Sequence, residues 1–273
     1  MTKSNFAIMA ILLITTGLTL KAISLYQATS PKAISHWQQS NEDNPQVIDH
    51  QLWQAFLARY LIDQSPRRFD YSQVNDHDKA LLDSYLISLQ IVDPITLRQD
   101  EQLAYWVNLY NALVIKLVLD NYPLKSIKEI GDGITGPWNI ELITLGVRPL
   151  SLNQIEHGIL RPLWQDPRIH YVINCASIGC PDLPLTPLAS ATIEQQLEQA
   201  AHRFINQDKA VVINDNVMTL SSIYQWFSVD FGENDQQLLT HLMQYAKPPL
   251  QQQLAQFNGE IEFSYNWKLN SPD

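Results

Sequence analysis

Cysteine is nearly absent from this 273-residue chain: there are two, Cys175 and Cys180. None lies near the N-terminus, which closes the lipoprotein route for the apolar segment found there. The two that exist are separated by four residues, which departs from the C-x-x-C arrangement of thiol oxidoreductases. Basic residues are also scarce, with 18 Lys and Arg against 28 Asp and Glu and no basic cluster. That balance argues against nucleic acid and against anionic lipid head groups as partners. There is no internal repeat and no low-complexity tract. At the N-terminus the apolar run is shorter than the ~18 to 20 residues expected of a full membrane span, unless residues 22–25 after Lys21 lengthen it.

A shorter apolar run is present. Residues 6–20 follow Lys3 and are interrupted only by Thr15, Thr16, Gly17 and Thr19, the pattern of a secretory h-region. Residues 1–25 are therefore expected to be a signal peptide or an N-terminal membrane anchor. The rest is expected to be exported to the periplasm, soluble after cleavage or tethered to the inner membrane, with no membrane contact elsewhere. Residues 26–46 are polar and irregular and read as a tether. Residues 47–271 read as one domain, and 45% hydrophobic content suits a globular core. The oxidising compartment favours a disulfide between the two thiols from the outset.

The first half reads helical. Residues 48–62 and 79–89 place apolar residues at helical spacing, with Asn75 and Asp76 as caps for the second. Residues 100–121 form the strongest helix, apolar on nearly every face from Leu103 to Ile115 except at Asn108 and Asn111. Such a helix is expected to be buried all round. Its two amides must find partners, because an unpaired buried amide costs about 1 to 3 kcal/mol. They are expected to tie down a neighbouring segment or hold a site in place.

The second half mixes types: strands over 139–145 and 169–175, helices over 151–161 and 192–205, and a hairpin from Val211 to Leu220 around Asn214-Asp215-Asn216. A half-buried strand alternates through Ile261, Phe263, Tyr265, Trp267 and Leu269. Helices first, then strands and helices in no strict order, indicate α+β, a helical N-terminal half packed on a small, mainly antiparallel sheet.

In the helix near residue 156, Ser151 and Gln154 form a capping box that sets its start at Leu152, and Pro162 marks its end. At helical spacing Glu156 falls within the apolar face of Leu152, Ile155, Ile159 and Leu160, while His157 and Arg161 line the edge. A carboxylate there needs an arginine such as Arg161 or Arg168, backbone donors, or a histidine to orient.

Around Cys175 three readings stay open: a catalytic thiol, a Cys175–Cys180 disulfide, and a zinc site with His157 and His170. On a regular strand His170 and Cys175 point to opposite faces, so His157 is the better base, with Glu156 or Asn111 as the orienting group. Backbone N–H groups from Ala176 to Gly179 supply a possible oxyanion hole, Gly179 permitting unusual torsions. The disulfide is feasible if the turn brings the Cα atoms within about 4.4 to 6.8 Å. The zinc set lacks paired C-x2-C spacing, and neither a metal nor a cofactor is expected.

Several ordered blocks resemble the domain of unknown function 547 family. They are Tyr105 to Leu113, Leu152 to Arg161, Asp166 to His170 running into Asn174 to Pro181, Trp226-Phe227 with Asp230-Phe231, and Tyr265 to Asn270. The resemblance covers about residues 50 to 270. It implies an exported or membrane-tethered bacterial protein and favours Cys175 as the more important thiol, with no activity attached. Where the family often ends in Tyr-Asp-Trp, this chain has Tyr265-Asn266-Trp267. The expected candidate site is therefore Cys175, His157, Glu156, Asn111 and His170, in a thiol-dependent hydrolase or acyl transferase. The alternative is a non-catalytic periplasmic binding or assembly module closed by the disulfide. In either case the ligand is an unidentified small molecule or peptide.

Overall fold

The helix α3 (Gln99–Asn121) is apolar on all sides because it is enclosed on all sides. From Glu101 to Ile115 every residue is buried, and the surrounding elements are arranged around it. The computed structural model describes residues 32–131, 136–232 and 234–272. The expected signal or anchor, and the first residues of the expected tether, lie outside that range. Among the described residues, α3 is the helix long and apolar enough to cross a membrane, and its apolar stretch is spent on the core of the domain.

Before α3 come α1 (Gln51–Tyr60), the short hairpin of β1 (Leu61–Ile62) and β2 (Arg68–Phe69), and α2 (Asp76–Gln90), capped by the Asn75 side chain on the Asp78 amide. After α3, β3 (Glu141–Leu145) and β4 (Arg148–Ser151) form a second hairpin. It leads into α4 (Leu152–Ile155), a π turn (Glu156–Leu160) and α5 (Arg161–Trp164). The capping box of Ser151 and Gln154 is present as expected. Pro162 does not end the helix: it sits in the first turn of α5, where its missing N–H is not needed, and the chain leaves at Gln165 in the left-handed conformation.

The last third contains α6 (Ile193–Ile205), β5 (Val211–Asn214), β6 (Val217–Ser221), α7 (Ile223–Trp226), α8 (Ser228–Phe231), α9 (Asp235–Tyr245), α10 (Pro248–Gln256) and β7 (Glu260–Ser264). β5 and β6 pair antiparallel, while β7 adds to β6 in parallel. The architecture is α+β, and its strands form separate small sheets of two, two and three strands rather than one. Two apolar clusters fill it. The larger surrounds α3; the smaller lies between α6, the three-stranded sheet and α9.

Three expectations change. Residues 32–46 are docked rather than a loose tether: Trp37 is 2% exposed and stands edge-on to Trp106, and the Ile34 amide donates to the Gly158 carbonyl at 2.8 Å. A Cβ on Gly158 would come within 2.6 Å of the Ile34 side chain, so only glycine lets this segment close. Residues 169–175 are not a strand, because Asp166 caps a 3-10 turn over Pro167–Tyr171. Finally, β7 stops at Ser264, and residues 265–270 become a strap across the turn that carries the cysteines.

Candidate functional site

The site begins with the two amides of α3. Asn108 donates to the Leu188 carbonyl and accepts from the Leu188 amide, each at 2.9 Å. One turn on, Asn111 donates to the Val172 carbonyl at 2.8 Å and accepts from the Asn174 amide at 2.9 Å. Each side chain thus replaces a strand neighbour for a buried length of irregular backbone, satisfying groups that would otherwise be orphaned. Asn111 is consumed in aiming the segment that enters Cys175 and orients no histidine.

Between those amides, the Tyr110 hydroxyl donates to Glu156 Oε2 at 3.0 Å. Glu156 is buried at 8% exposure and pairs with neither Arg161 nor Arg168. Its other oxygen lies 3.8 Å from His157 Nδ1 and 4.0 Å from His170 Nδ1. Burial, with the Glu156 carboxylate adding to it, pushes the Tyr110 phenol well above its ordinary range, so it remains a donor. The π turn over Glu156–Leu160 places Glu156 inward and His157 at the rim, a local helix irregularity of the kind that often accompanies functional sites.

His170 lies inside this cluster because it sits on a turn and not on a strand. Its Nε2 is 2.7 Å from Asp230 Oδ2, and the same oxygen receives Arg161 Nε at 2.6 Å. Phe227 stacks on the His170 ring with centroids 4.3 Å apart, and the Arg161 guanidinium carbon stands 5.0 Å from the centre of the Phe227 ring. Burial raises the Asp230 carboxyl, but the hydrogen bonds from His170 and Arg161 outweigh it and hold the group down at about 2. An ionised carboxylate only accepts, so Nε2 of His170 carries a proton.

His157 is about one-third exposed, and its Nδ1 lies 3.2 Å from Arg161 Nη1. A guanidinium can only donate, so Nδ1 accepts, and in the neutral ring the proton sits on Nε2. Burial lowers the His157 pKa, with Glu156 opposing and Arg161 and His170 assisting, which favours that neutral form. The outward nitrogen is a hydrogen-bond donor. Among the described residues no hydrogen bond joins His157 or His170 to either sulfur.

The sulfurs of Cys175 and Cys180 lie at disulfide distance, with Cα atoms 6.0 Å apart. The Tyr265 hydroxyl lies 3.0 Å from each sulfur. With the two sulfurs bonded to each other neither carries a hydrogen, and Tyr265 is then the donor that shares one proton between them. Burial, aided by Glu156, pushes its phenol well above the ordinary range and keeps that proton in place.

The turn between the cysteines is closed by its own chain. The Ala176 amide donates to Asn174 Oδ1, Ile178 to the Lys268 carbonyl, Gly179 to the Asn266 carbonyl, and Cys180 to the Ser177 carbonyl. Of the donors considered for an oxyanion hole, the amides of Ala176, Ile178 and Gly179 are therefore engaged. Gly179 is required for space and not for torsion: a Cβ there would meet the Asn266 amide at 2.9 Å and the Tyr265 ring at 3.0 Å. The residue in the left-handed region is Ala176, at φ 59°, held by the Asn174 side chain and by the Asn270 amide on its carbonyl.

The structure thus gathers Glu156, His157 and His170 around one carboxylate–imidazole–guanidinium cluster, places Cys175 and Cys180 behind Tyr265, and leaves Asn111 supporting the backbone. Asp230, Arg161, Tyr110 and Tyr265 complete the cluster and were not assigned site roles from sequence. Tyr110 lies between the two asparagines already singled out. Asp230, 60 residues beyond His170, announces itself only as part of the Trp226-Phe227 and Asp230-Phe231 block.

Fold and site together define an α+β domain in which a turn with two cysteines at disulfide distance lies beside a buried carboxylate–imidazole cluster. Residues 94–205 match the family model described as "Protein of unknown function, DUF547", and this part of the chain is a DUF547 domain. The match includes Glu156, His157, His170 and both cysteines; Asp230 and Tyr265 lie beyond it. No curated protein and no solved structure matches the chain.

Proposed function

We propose that this is an exported, non-catalytic binding or assembly module in which the Cys175–Cys180 disulfide is a structural clasp. One observation carries the reading: each part a thiol enzyme needs is engaged elsewhere. The Cys175 sulfur lies at bonding distance from that of Cys180, the lone pair of His157 Nδ1 receives Arg161, and the amides of Ala176, Ile178 and Gly179 are hydrogen-bonded. The apolar run of residues 6–20 after Lys3 supports export, and a disulfide suits an oxidising compartment.

The binding face is the rim of the cluster. The Nε2 of the part-exposed His157 offers a donor beside the half-buried ring of Phe227, and the buried Arg161 Nη2 has no hydrogen-bond partner among the described residues. Donors flanked by aromatic surface suit an acceptor-bearing small molecule or peptide.

Intact mass measurement of the native full chain after iodoacetamide treatment, with and without reductant, tests this. Expected is no alkylation without reductant and two alkyl groups after it. Rapid alkylation of Cys175 in the untreated chain, lost in His157→Ala, would overturn the reading and restore the thiol enzyme.

A further inference from the structure

A second cleft, on the far side of the 181–188 loop, is absorbed neither by the cluster nor by the disulfide. It has a volume of about 270 Å³, just below the usual range for ligand sites and enough only for a small molecule. One wall is a face of α6, where Gln196, Gln199, Ala200 and Arg203 recur at the spacing of successive turns. Phe204 and Tyr171 form an apolar floor, Leu185 stands opposite, and Arg67 reaches in from the β1–β2 hairpin.

Two arginines, Arg67 and Arg203, line this cleft together. Asp182 is 2% exposed in its side chain and already takes Lys209 at 2.6 Å, Arg203 Nε at 2.7 Å and Gln207 at 2.7 Å. Arg67 spends Nε on the exposed Asp63 and Nη1 on the Leu183 carbonyl. Arg203 spends Nη2 on the Gln64 carbonyl. Arg68, next in sequence, forms no ion pair among the described residues. Of these cations Arg67 and Arg203 line the cleft, beside the buried Asp182 and the exposed Asp63, which also lies 3.7 Å from Arg203 Nη2. Arg67 Nη2 and Arg203 Nη1 have no hydrogen-bond partner among the described residues.

We infer that this cleft binds a small organic carboxylate with an apolar body of about one amino-acid residue. The carboxylate would take the two unspent guanidinium nitrogens, the geometry for which arginine is best suited, and the apolar body would cover Ala200, Leu185 and Phe204. The site stands independently of the reading of the Glu156 cluster.

Equilibrium dialysis of the full chain against N-acetyl-leucine, N-acetyl-leucinamide and inorganic phosphate tests it, with Arg67→Gln and Leu185→Glu as variants. Leu185 is partly exposed, so a carboxylate there opposes the ligand's charge without disturbing the core. Expected is saturable binding of the acid and at least about tenfold weaker binding of the amide, the ratio that losing a charge-assisted hydrogen bond produces. Both variants should weaken the acid to a similar degree. Equal binding of acid and amide, full binding by Leu185→Glu, displacement of the acid by equimolar phosphate, or no binding of the acid would each overturn the proposal.

Discussion

Asp230 accepts a hydrogen bond from His170 at 2.7 Å across 60 residues of sequence, and this contact joins the smaller apolar cluster to the larger. With Arg161 on the same oxygen, the carboxylate is held down at about 2 against 3.8 for an ordinary aspartate, although burial alone would raise it. A depressed folded-state value contributes stability that is fully present above the unfolded value and is lost as pH falls through the folded one. The Asp230 contribution should therefore disappear between about pH 4 and pH 2. Asp230→Asn should cost about 3 kcal/mol by leaving the buried Arg161 charge unpaired, and should flatten the urea-midpoint profile in that window. An unchanged profile would remove Asp230 from the stabilising network.

His241 adds a second acid-sensitive window. Its Nε2 lies 2.7 Å from the Tyr171 hydroxyl, and burial lowers its pKa to about 4, with Asp166 opposing. Below the ordinary value of 6.5 the unfolded chain takes up a proton that the folded one refuses. Stability should thus decline as pH falls from 6.5 towards 4, and His241→Phe should remove that slope. Denaturation followed at fixed pH intervals separates this window from the Asp230 one.

Asn111→Ala should cost about 2 to 4 kcal/mol, since it orphans the Val172 carbonyl and the Asn174 amide in the core. It should also speed reduction of the disulfide, because Asn174 leads directly into Cys175. Urea unfolding and the rate of thiol release measure the two effects. Asn111→Asp, which keeps one acceptor and adds a buried charge, should be no better tolerated.

The disulfide closes a loop with a sequence separation of five, so opening it should cost about 2 kcal/mol through the entropy of the unfolded chain. Cys175→Ser with Cys180→Ser should show that loss while the Glu156 cluster persists, because Tyr110, His170 and Arg161 hold it without help from sulfur. If the double variant loses the Asp230 pH window as well, the clasp and the cluster are one cooperative unit.

These contacts differ in how far the sequence disclosed them. The roles of Asn108 and Asn111 were legible because an amide surrounded by apolar residues has few ways to be satisfied, and binding a backbone segment is the commonest. The capping box at Ser151 was legible because its chemistry is local. His170 was misplaced because the Ile169 to Cys175 run was read as an alternating strand, when Asp166-Pro167 ahead of it is a turn-initiating pair. Glu156 is expected on a buried face with an arginine, backbone donors or a histidine as its partner, and the phenol that donates to it is not among these. Tyr110 escaped notice because a phenol in an apolar helix looks like packing. Tyr265 and Asp230 are brought in by long-range packing, which no local spacing encodes.

The docking of residues 32–46 yields the sharpest test of what sequence composition concealed. A polar, irregular stretch suggested a tether, yet Ile34 pairs with Gly158 in the π turn and Trp37 packs against Trp106 of α3. Truncating a tether residue costs nothing measurable, whereas removing a buried tryptophan side chain costs about 3 to 5 kcal/mol when its site cannot collapse. Trp37→Ala should therefore destabilise the domain by about 3 kcal/mol. Because Gly158 neighbours His157, the loss should also raise amide exchange along Glu156–Leu160. Gly158→Ala should reproduce that local loosening while leaving Trp37 intact, by pushing Ile34 away. Should both variants match the parent in urea midpoint and in exchange, residues 32–46 would be a tether after all, and the π turn would owe nothing to them.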